Sequence, residues 1–131
     1  MNDSDRIRSL YAAFGRGDVP SILEHLDEQV LWSYPLADVL PWGGVRRGRE
    51  GVLAFFRQLA EAADVLEFEP REFIAQDGTV VVLGRERVRS KATGASYATE
   101  FAHVWKLAGG RVMSYGNFID TQVAASVRFA R

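Results

Sequence analysis

No cysteine occurs among the 131 residues of this chain. Disulfides and thiolate chemistry are therefore excluded, a structural zinc site is not expected, and the composition fits a reducing compartment. Surplus charge is missing as well: 16 Lys and Arg against 17 Asp and Glu leave a net charge of -1. A polyanionic partner needs a clear basic excess to release its counterions, so nucleic acid is not an expected partner. No apolar run approaches the roughly 18 residues of a membrane helix. The opening "MNDSDRIRSL" also lacks the apolar stretch of a signal peptide. No membrane contact is expected, and a cytoplasmic location is the default. There is no glycine-rich phosphate loop ahead of a helix, and only two histidines are present. Neither a nucleotide cofactor nor a metal is expected.

What is present is an ordinary globular mixture, 47% hydrophobic and 25% charged, with no linker or repeat. A chain of this length makes one domain, residues 1–131, able to bury roughly two-thirds of its unfolded surface. In "DRIRSLYAAFGRGD", Ile7, Leu10, Tyr11 and Phe14 fall at i, i+3, i+4 and i+7, the stripe of an amphipathic helix. Asp18 and Pro20 open a short second helix, and "QVLWSYP" reads as a strand. "LADVLPWGGVRRG" reads as a loop whose Leu36, Leu40 and Trp42 lie over something apolar. Val52, Phe55, Phe56, Leu59 and Ala63 mark a third helix after Gly48.

Beyond it the period falls from 3.6 to 2. "VLEFEPREFIA", "TVVVLGRERVRS", "SYATEFAHVWKL" and "RVMSYGNFI" alternate as strands joined by short turns, the pattern of an antiparallel meander. "DTQVAASVRFA" closes the chain as a short helix that Asp120 can cap. The fold class expected is α+β: an antiparallel sheet with helices gathered on one face, three of them in the N-terminal half, and a short C-terminal helix.

The segments "YAAFGRGDVPSILEHLDEQVLWSYP", "GVRRGREGVLAFFRQL" and the meander ending "HVWKLAGGRV…FIDT" resemble SnoaL-like proteins of the nuclear transport factor 2-like superfamily. The resemblance covers nearly the whole chain and implies a cone-shaped fold like that of ketosteroid isomerase, a curved sheet and three helices enclosing a pocket. That superfamily spans isomerases, polyketide cyclases, epoxide hydrolases, binding proteins and scaffolds, so the fold alone does not name a reaction. Tyr34 stands where ketosteroid isomerase carries its general-base aspartate, and Leu10, one residue before Tyr11, where it carries its oxyanion-hole tyrosine. Both departures argue against steroid isomerisation. SnoaL-type cyclases pair a final-strand aspartate with a histidine one strand earlier. His103 matches the histidine, while Asn117 stands at the aspartate's approximate place. The Asp-Arg-Asp set of the epoxide hydrolases has no counterpart here.

Alternation puts Tyr97, Thr99, Phe101, His103, Trp105 and Leu107 on one strand face and smaller residues on the other. The large face is the one to turn inward. A three-residue "AGG" loop would pair Leu107 with Arg111 and set His103 opposite Tyr115, with Asn117 diagonal. In that register His103 resembles ketosteroid isomerase's oxyanion-hole aspartate in place. A two-residue Gly109-Gly110 turn would instead set it opposite Gly116. His103 could donate to a ligand oxygen or exchange a proton with it; its plainer role is a half-buried histidine bonded to Tyr115 or Asn117.

Glu86 shares a strand face with Val80, Val82, Gly84 and Val88, so it is either a pocket carboxylate able to orient His103 or a rim residue bridging to an arginine. Asp38 in the loop is a third candidate acid or base, or merely a turn former. The aromatics Trp32, Tyr34, Trp42, Phe56, Phe101, Trp105 and Tyr115, with Asn117, make a wall for a flat apolar ligand bearing oxygen. Two functions remain open: an isomerase, cyclase or hydratase working by proton transfer, or a non-catalytic ligand-binding or scaffold domain. A homodimer through the outer sheet face is expected from Ala98, Ala102, Val104, Gly116 and Phe118 on that side.

Overall fold

A computed structural model describes residues 1–129. Ala130, the last residue of the expected C-terminal helix, and Arg131 lie outside the described residues. The first helix, α1 (Asp3–Gly15), is capped by Asn2, whose side-chain oxygen accepts from the amide of Asp5 at 2.8 Å. Asp18 caps α2 (Val19–Glu24) in the same way through the amide of Ser21 at 3.2 Å. Strand β1 (Leu26–Tyr34) follows, and then the 35–43 turn region. Within the segment expected to be all loop, Gly44–Arg47 forms a strand, β2, antiparallel to β1. Its four residues give too little alternation to be read from the sequence. The helix α3 (Gly48–Ala62) buries Val52 and Phe55. The meander is β3 (Ala63–Gln76), β4 (Thr79–Ser90), β5 (Ser96–Ala108) and β6 (Arg111–Ile119). Asp120 caps the short α4 (Thr121–Ala125) through the amide of Val123.

The six strands form one curved, open sheet in the order β2-β1-β6-β5-β4-β3. The meander is antiparallel throughout, and β1 joins it parallel to β6. Alternation on β4 and β5 divides the sheet into two faces. Val80, Val82, Glu86 and Val88 are buried on the inner face of β4, with Tyr97, Phe101, His103 and Trp105 beside them on β5. Gly84 has a packing reason on that face: it pairs with Phe101, whose ring covers the space where a Cβ would sit. Among the described residues no helix is long and apolar enough to cross a membrane.

The β5-β6 register differs from the expected one, and a bulge is the cause. The turn is the two-residue one: Ala108 pairs with Arg111, and Gly109 and Gly110 both take positive φ, 57° and 78°. Leu107 then pairs with Val112, but Lys106 pairs with Ser114, so Met113 is an extra residue on β6. Both Val112 and Tyr115 therefore point inward, while Met113 is exposed. Beyond the bulge His103 faces Asn117, Trp105 faces Tyr115 and Phe101 faces Ile119.

On the outer face Arg85, Arg87 and Arg89 pair loosely with Glu67 and Asp64 of β3, exposed ion pairs of small energetic value. Beside them the cross-strand partners Ile74, Val81, Val104 and Gly116, with Ala102 and Phe118, make a continuous apolar patch. Phe118 is 62% exposed and Ile74 53%. Water-facing apolar area of this kind is the mark of an interaction surface. The dimer expected through this face predicts a light-scattering mass twice the 14.6 kDa of one chain at micromolar concentration. Phe118→Glu should halve that mass while leaving the circular dichroism unchanged. A single-chain mass for the unsubstituted protein contradicts the dimer.

Candidate functional site

Between the inner sheet face, α1 and α3 lies a hollow lined by Tyr11, Trp32, Tyr34, Trp42, Phe55 and Phe56, among others, with Glu86, His103, Trp105, Tyr115 and Asn117. It measures about 630 Å³ including its open mouth. The space is a slot whose walls are largely aromatic. Trp32 sets one wall: its ring stacks on Tyr115 at 4.1 Å, the two being register partners across β1 and β6.

His103 is buried, its ring stacked on Phe101 at 4.0 Å. Its Nδ1 lies 2.6 Å from the Tyr11 hydroxyl and its Nε2 3.0 Å from the Asn117 amide nitrogen. Asn117 Nδ2 has a second contact, to the Tyr115 hydroxyl at 2.8 Å. With the amide so oriented, its two protons go to Tyr115 and to His103 Nε2. The neutral ring then carries its proton on Nδ1 and donates it to Tyr11. Tyr11 accepts a second hydrogen bond from the indole N–H of Trp105 at 2.9 Å. Both lone pairs of that phenol are occupied, and its own proton is left to donate into the slot. Burial holds the Tyr11 hydroxyl well above its ordinary pKa and lowers that of His103 to about 3. Tyr11 is therefore a neutral donor and His103 a neutral imidazole at ordinary pH. Asn117 Oδ1, also buried, has no hydrogen-bond partner.

Glu86 is buried on β4, and its Oε1 has no hydrogen-bond partner. Rather than bridging to Arg85 or Arg87, which point to the other face, it addresses the slot. Loss of hydration raises its pKa from 4.5 to about 7, with the nearby Tyr34 hydroxyl holding it down in part. It does not orient His103. The two stand on adjacent strands four positions out of register, roughly 13 Å along the sheet, with Phe101 between them. Its charge is nevertheless felt at the hydroxyls of Tyr11, Tyr34, Tyr97 and Tyr115.

The structure thus brings His103, Glu86, Trp32, Tyr34, Trp42, Phe56, Trp105, Tyr115 and Asn117 to one slot. Two expected site residues fall elsewhere. Asp38 is exposed on its turn, where Leu40 and Trp42 take the inward positions. Phe101 lies behind the lining, wedged between Gly84 and the His103 ring. Tyr11 was missed as a site residue, although its place on the Ile7–Leu10–Phe14 stripe already turned it inward. Phe68 was missed too; it stacks on Phe101 at 5.2 Å from an edge strand whose bulges blur its alternation.

The carboxyl of Glu86 leaves a signature in stability. Its folded pKa is raised, so its contribution is full below 4.5 and is lost as pH rises through about 7. That loss amounts to about 3 kcal/mol across the interval. Glu86→Gln should therefore gain on the unsubstituted protein by about that much between pH 4.5 and pH 8. Urea denaturation at the two pH values measures it. A stability difference independent of pH would show that the carboxyl has its ordinary pKa.

No match was found among curated proteins. Among solved structures, an NTF2-like protein of unknown function from Burkholderia pseudomallei K96243 is 30% identical, covering 99% of this chain and 100% of that one at a TM-score of 0.85. An NTF2-like protein from Burkholderia xenovorans LB400 is 27% identical, covering 95% of this chain and 93% of that one, with a TM-score of 0.85. TerC, co-crystallised with polyporic acid, is 26% identical, covering 95% of each chain at a TM-score of 0.81. The SnoaL-like domain model matches residues 7–115, within which lie Tyr11, Glu86, His103 and Tyr115, and the chain belongs to that family.

Proposed function

We propose that this protein is a small enzyme that transfers a proton on a flat, apolar, conjugated compound bearing oxygen. Tyr11 donates a hydrogen bond to the ligand's carbonyl or enolate oxygen, and Glu86 takes and returns the proton. The observation that carries this reading is the Glu86 carboxyl, buried in an aromatic slot with Oε1 unpaired and a pKa near 7. A general acid or base works best with its pKa close to ambient pH. His103 and Trp105 act as positioning residues. Each donates to Tyr11, which directs that hydroxyl's proton toward the oxygen on which charge develops.

The distance between the two ends also selects the chemistry. Because Glu86 and His103 stand four register positions apart, the ligand carbon that yields its proton to Glu86 and the oxygen held at Tyr11 belong to different parts of one conjugated system. TerC, similar to this chain over 95% of its length, is a relative crystallised with polyporic acid, and this supports a small organic ligand. The runner-up is a non-catalytic binding protein, favoured by how much of the slot's lining is apolar.

Deuterium exchange separates the two readings. A two-ring conjugated enone, octalone, incubated with the protein in heavy water should exchange its γ-protons faster than in buffer, as read by proton NMR. Glu86→Gln should slow the exchange about a hundredfold or more with enone affinity within about threefold, and Tyr11→Phe should slow it on the order of ten- to a hundredfold. Enone that binds to the unsubstituted protein without exchanging contradicts catalysis and leaves the binding role.

A further inference from the structure

Away from Glu86, one buried donor in the wall of the slot is left without an acceptor. Trp32 is 2% exposed, and its indole N–H has no hydrogen-bond partner. A buried indole N–H ordinarily finds one. The ring itself is held from every side. Tyr115 stacks on it at 4.1 Å, Phe55 and Phe56 of α3 lie at 5.5 and 5.9 Å, and Trp105 meets it edge to face at 5.7 Å. These neighbours do not take its proton. Phe55 and Phe56 have no lone pair, and the Trp105 N–H is itself a donor, committed to Tyr11. Asn117 Oδ1, two residues beyond Tyr115 on β6, is as unpaired as the indole. A water would be poorly held, since it needs several polar partners and this corner is walled by aromatic carbon.

An indole nitrogen only donates, so what it requires does not change with pH or with a choice of tautomer. The missing group is an acceptor on the ligand. Among the described residues no lysine or arginine lines the slot, so a full negative charge brought there would go uncompensated. That leaves a neutral oxygen, a carbonyl or an ether. It is a different oxygen from the one held at Tyr11. Tyr11 reaches Trp105 from α1, among Phe68 and Phe73 of β3. Trp32 reaches the same residue from β1, among Phe55 and Phe56 of α3. The two donors thus stand on opposite flanks of Trp105.

We infer that Trp32 is a specificity-determining residue whose Nε1–H binds a second neutral oxygen of the natural ligand, a carbonyl or an ether, on the flank that faces β1 and α3. The ligand is then a ring compound oxygenated at two separate positions, one for Tyr11 and one for Trp32. The inference rests on the slot being the site of an oxygen-bearing ring compound, and it is independent of which residue moves a proton.

The indole proton itself reports the contact. With three tryptophans in the chain, ¹⁵N-labelled protein gives three indole N–H signals by NMR. Trp42→Phe and Trp105→Phe identify the Trp32 signal by elimination, without a substitution at Trp32. α-Tetralone, whose single oxygen suits Tyr11, is titrated beside its isomers methoxylated on the aromatic ring. Tetralone should bind without moving the Trp32 proton downfield. One methoxy isomer should move it downfield, as a hydrogen bond does, and should bind at least about threefold more tightly than tetralone. In Trp32→Phe that advantage should vanish. Tetralone that binds while no isomer moves the signal downfield overturns the inference and leaves the ligand reading of the slot standing; an N–H resting on the ring face of Trp105 would give this result. An advantage that persists in Trp32→Phe comes from buried area and also overturns it. If tetralone alone moves the signal downfield, Trp32 holds the only oxygen and the second acceptor is refuted. If no compound binds, the reading of the slot fails, and this inference with it.

Discussion

A carboxyl group taken out of water costs several kcal/mol unless a cation or several donors replace its hydration, and Glu86 has neither. The strands put it there. β4 alternates valines inward and arginines outward, and the same alternation that keeps Arg85 and Arg87 on the wet face carries Glu86 to the dry one. The protein meets the cost by keeping the carboxyl protonated to about neutral pH. Trp42, Asn117 and Trp32 add buried polar atoms without partners around the same slot. Each such orphan costs on the order of 1–3 kcal/mol.

The opposite end of the slot is organised in the other way. Tyr11, His103, Trp105, Asn117 and Tyr115 join in a single chain of hydrogen bonds in which Asn117 Oδ1 alone lacks a partner; with the amide oriented as it is, the imidazole carries its proton on Nδ1 and one phenol proton is left to spare. That chain ties α1 to β5 and β6, so the mouth of the slot and its polar anchor are held by the same contacts. Satisfied polar networks are rigid, and an aimed donor that needs no rearrangement is what stabilises developing charge. The histidine that stands out in the sequence is therefore a neutral link between Asn117 and Tyr11, and the acid/base role we propose falls to the glutamate.

How far the residues foretell this depends on the period of the element that carries them. On β5 a strict two-residue alternation turns His103 and Trp105 inward, on β4 it puts Glu86 on the valine face without saying whether that face meets pocket or rim, and the capping of α2 and α4 by Asp18 and Asp120 is equally plain. Tyr11 sat on a legible helix stripe, but helical spacing says which face is buried and not that a hydroxyl on it meets His103 from 92 residues away. The register of His103 was not legible, because Met113 is an unremarkable residue and its bulge is forced by pairing on both edges of β6. The two positive-φ glycines of the turn did carry the signal for a two-residue hairpin. Asp38 misled because a loop sequence does not say which of its residues turns inward, and there the leucine and tryptophan won on hydrophobicity.

The ionisation of one side chain tests the account most directly. Glutamate labelled with ¹³C at the side-chain carboxyl, with Glu86→Gln used to assign the signal, gives the titration of Glu86 in the free protein by NMR. The account predicts a midpoint near 7. A midpoint at the ordinary 4.5 would mean that the carboxyl is hydrated or paired, and the slot would lose its acid and base.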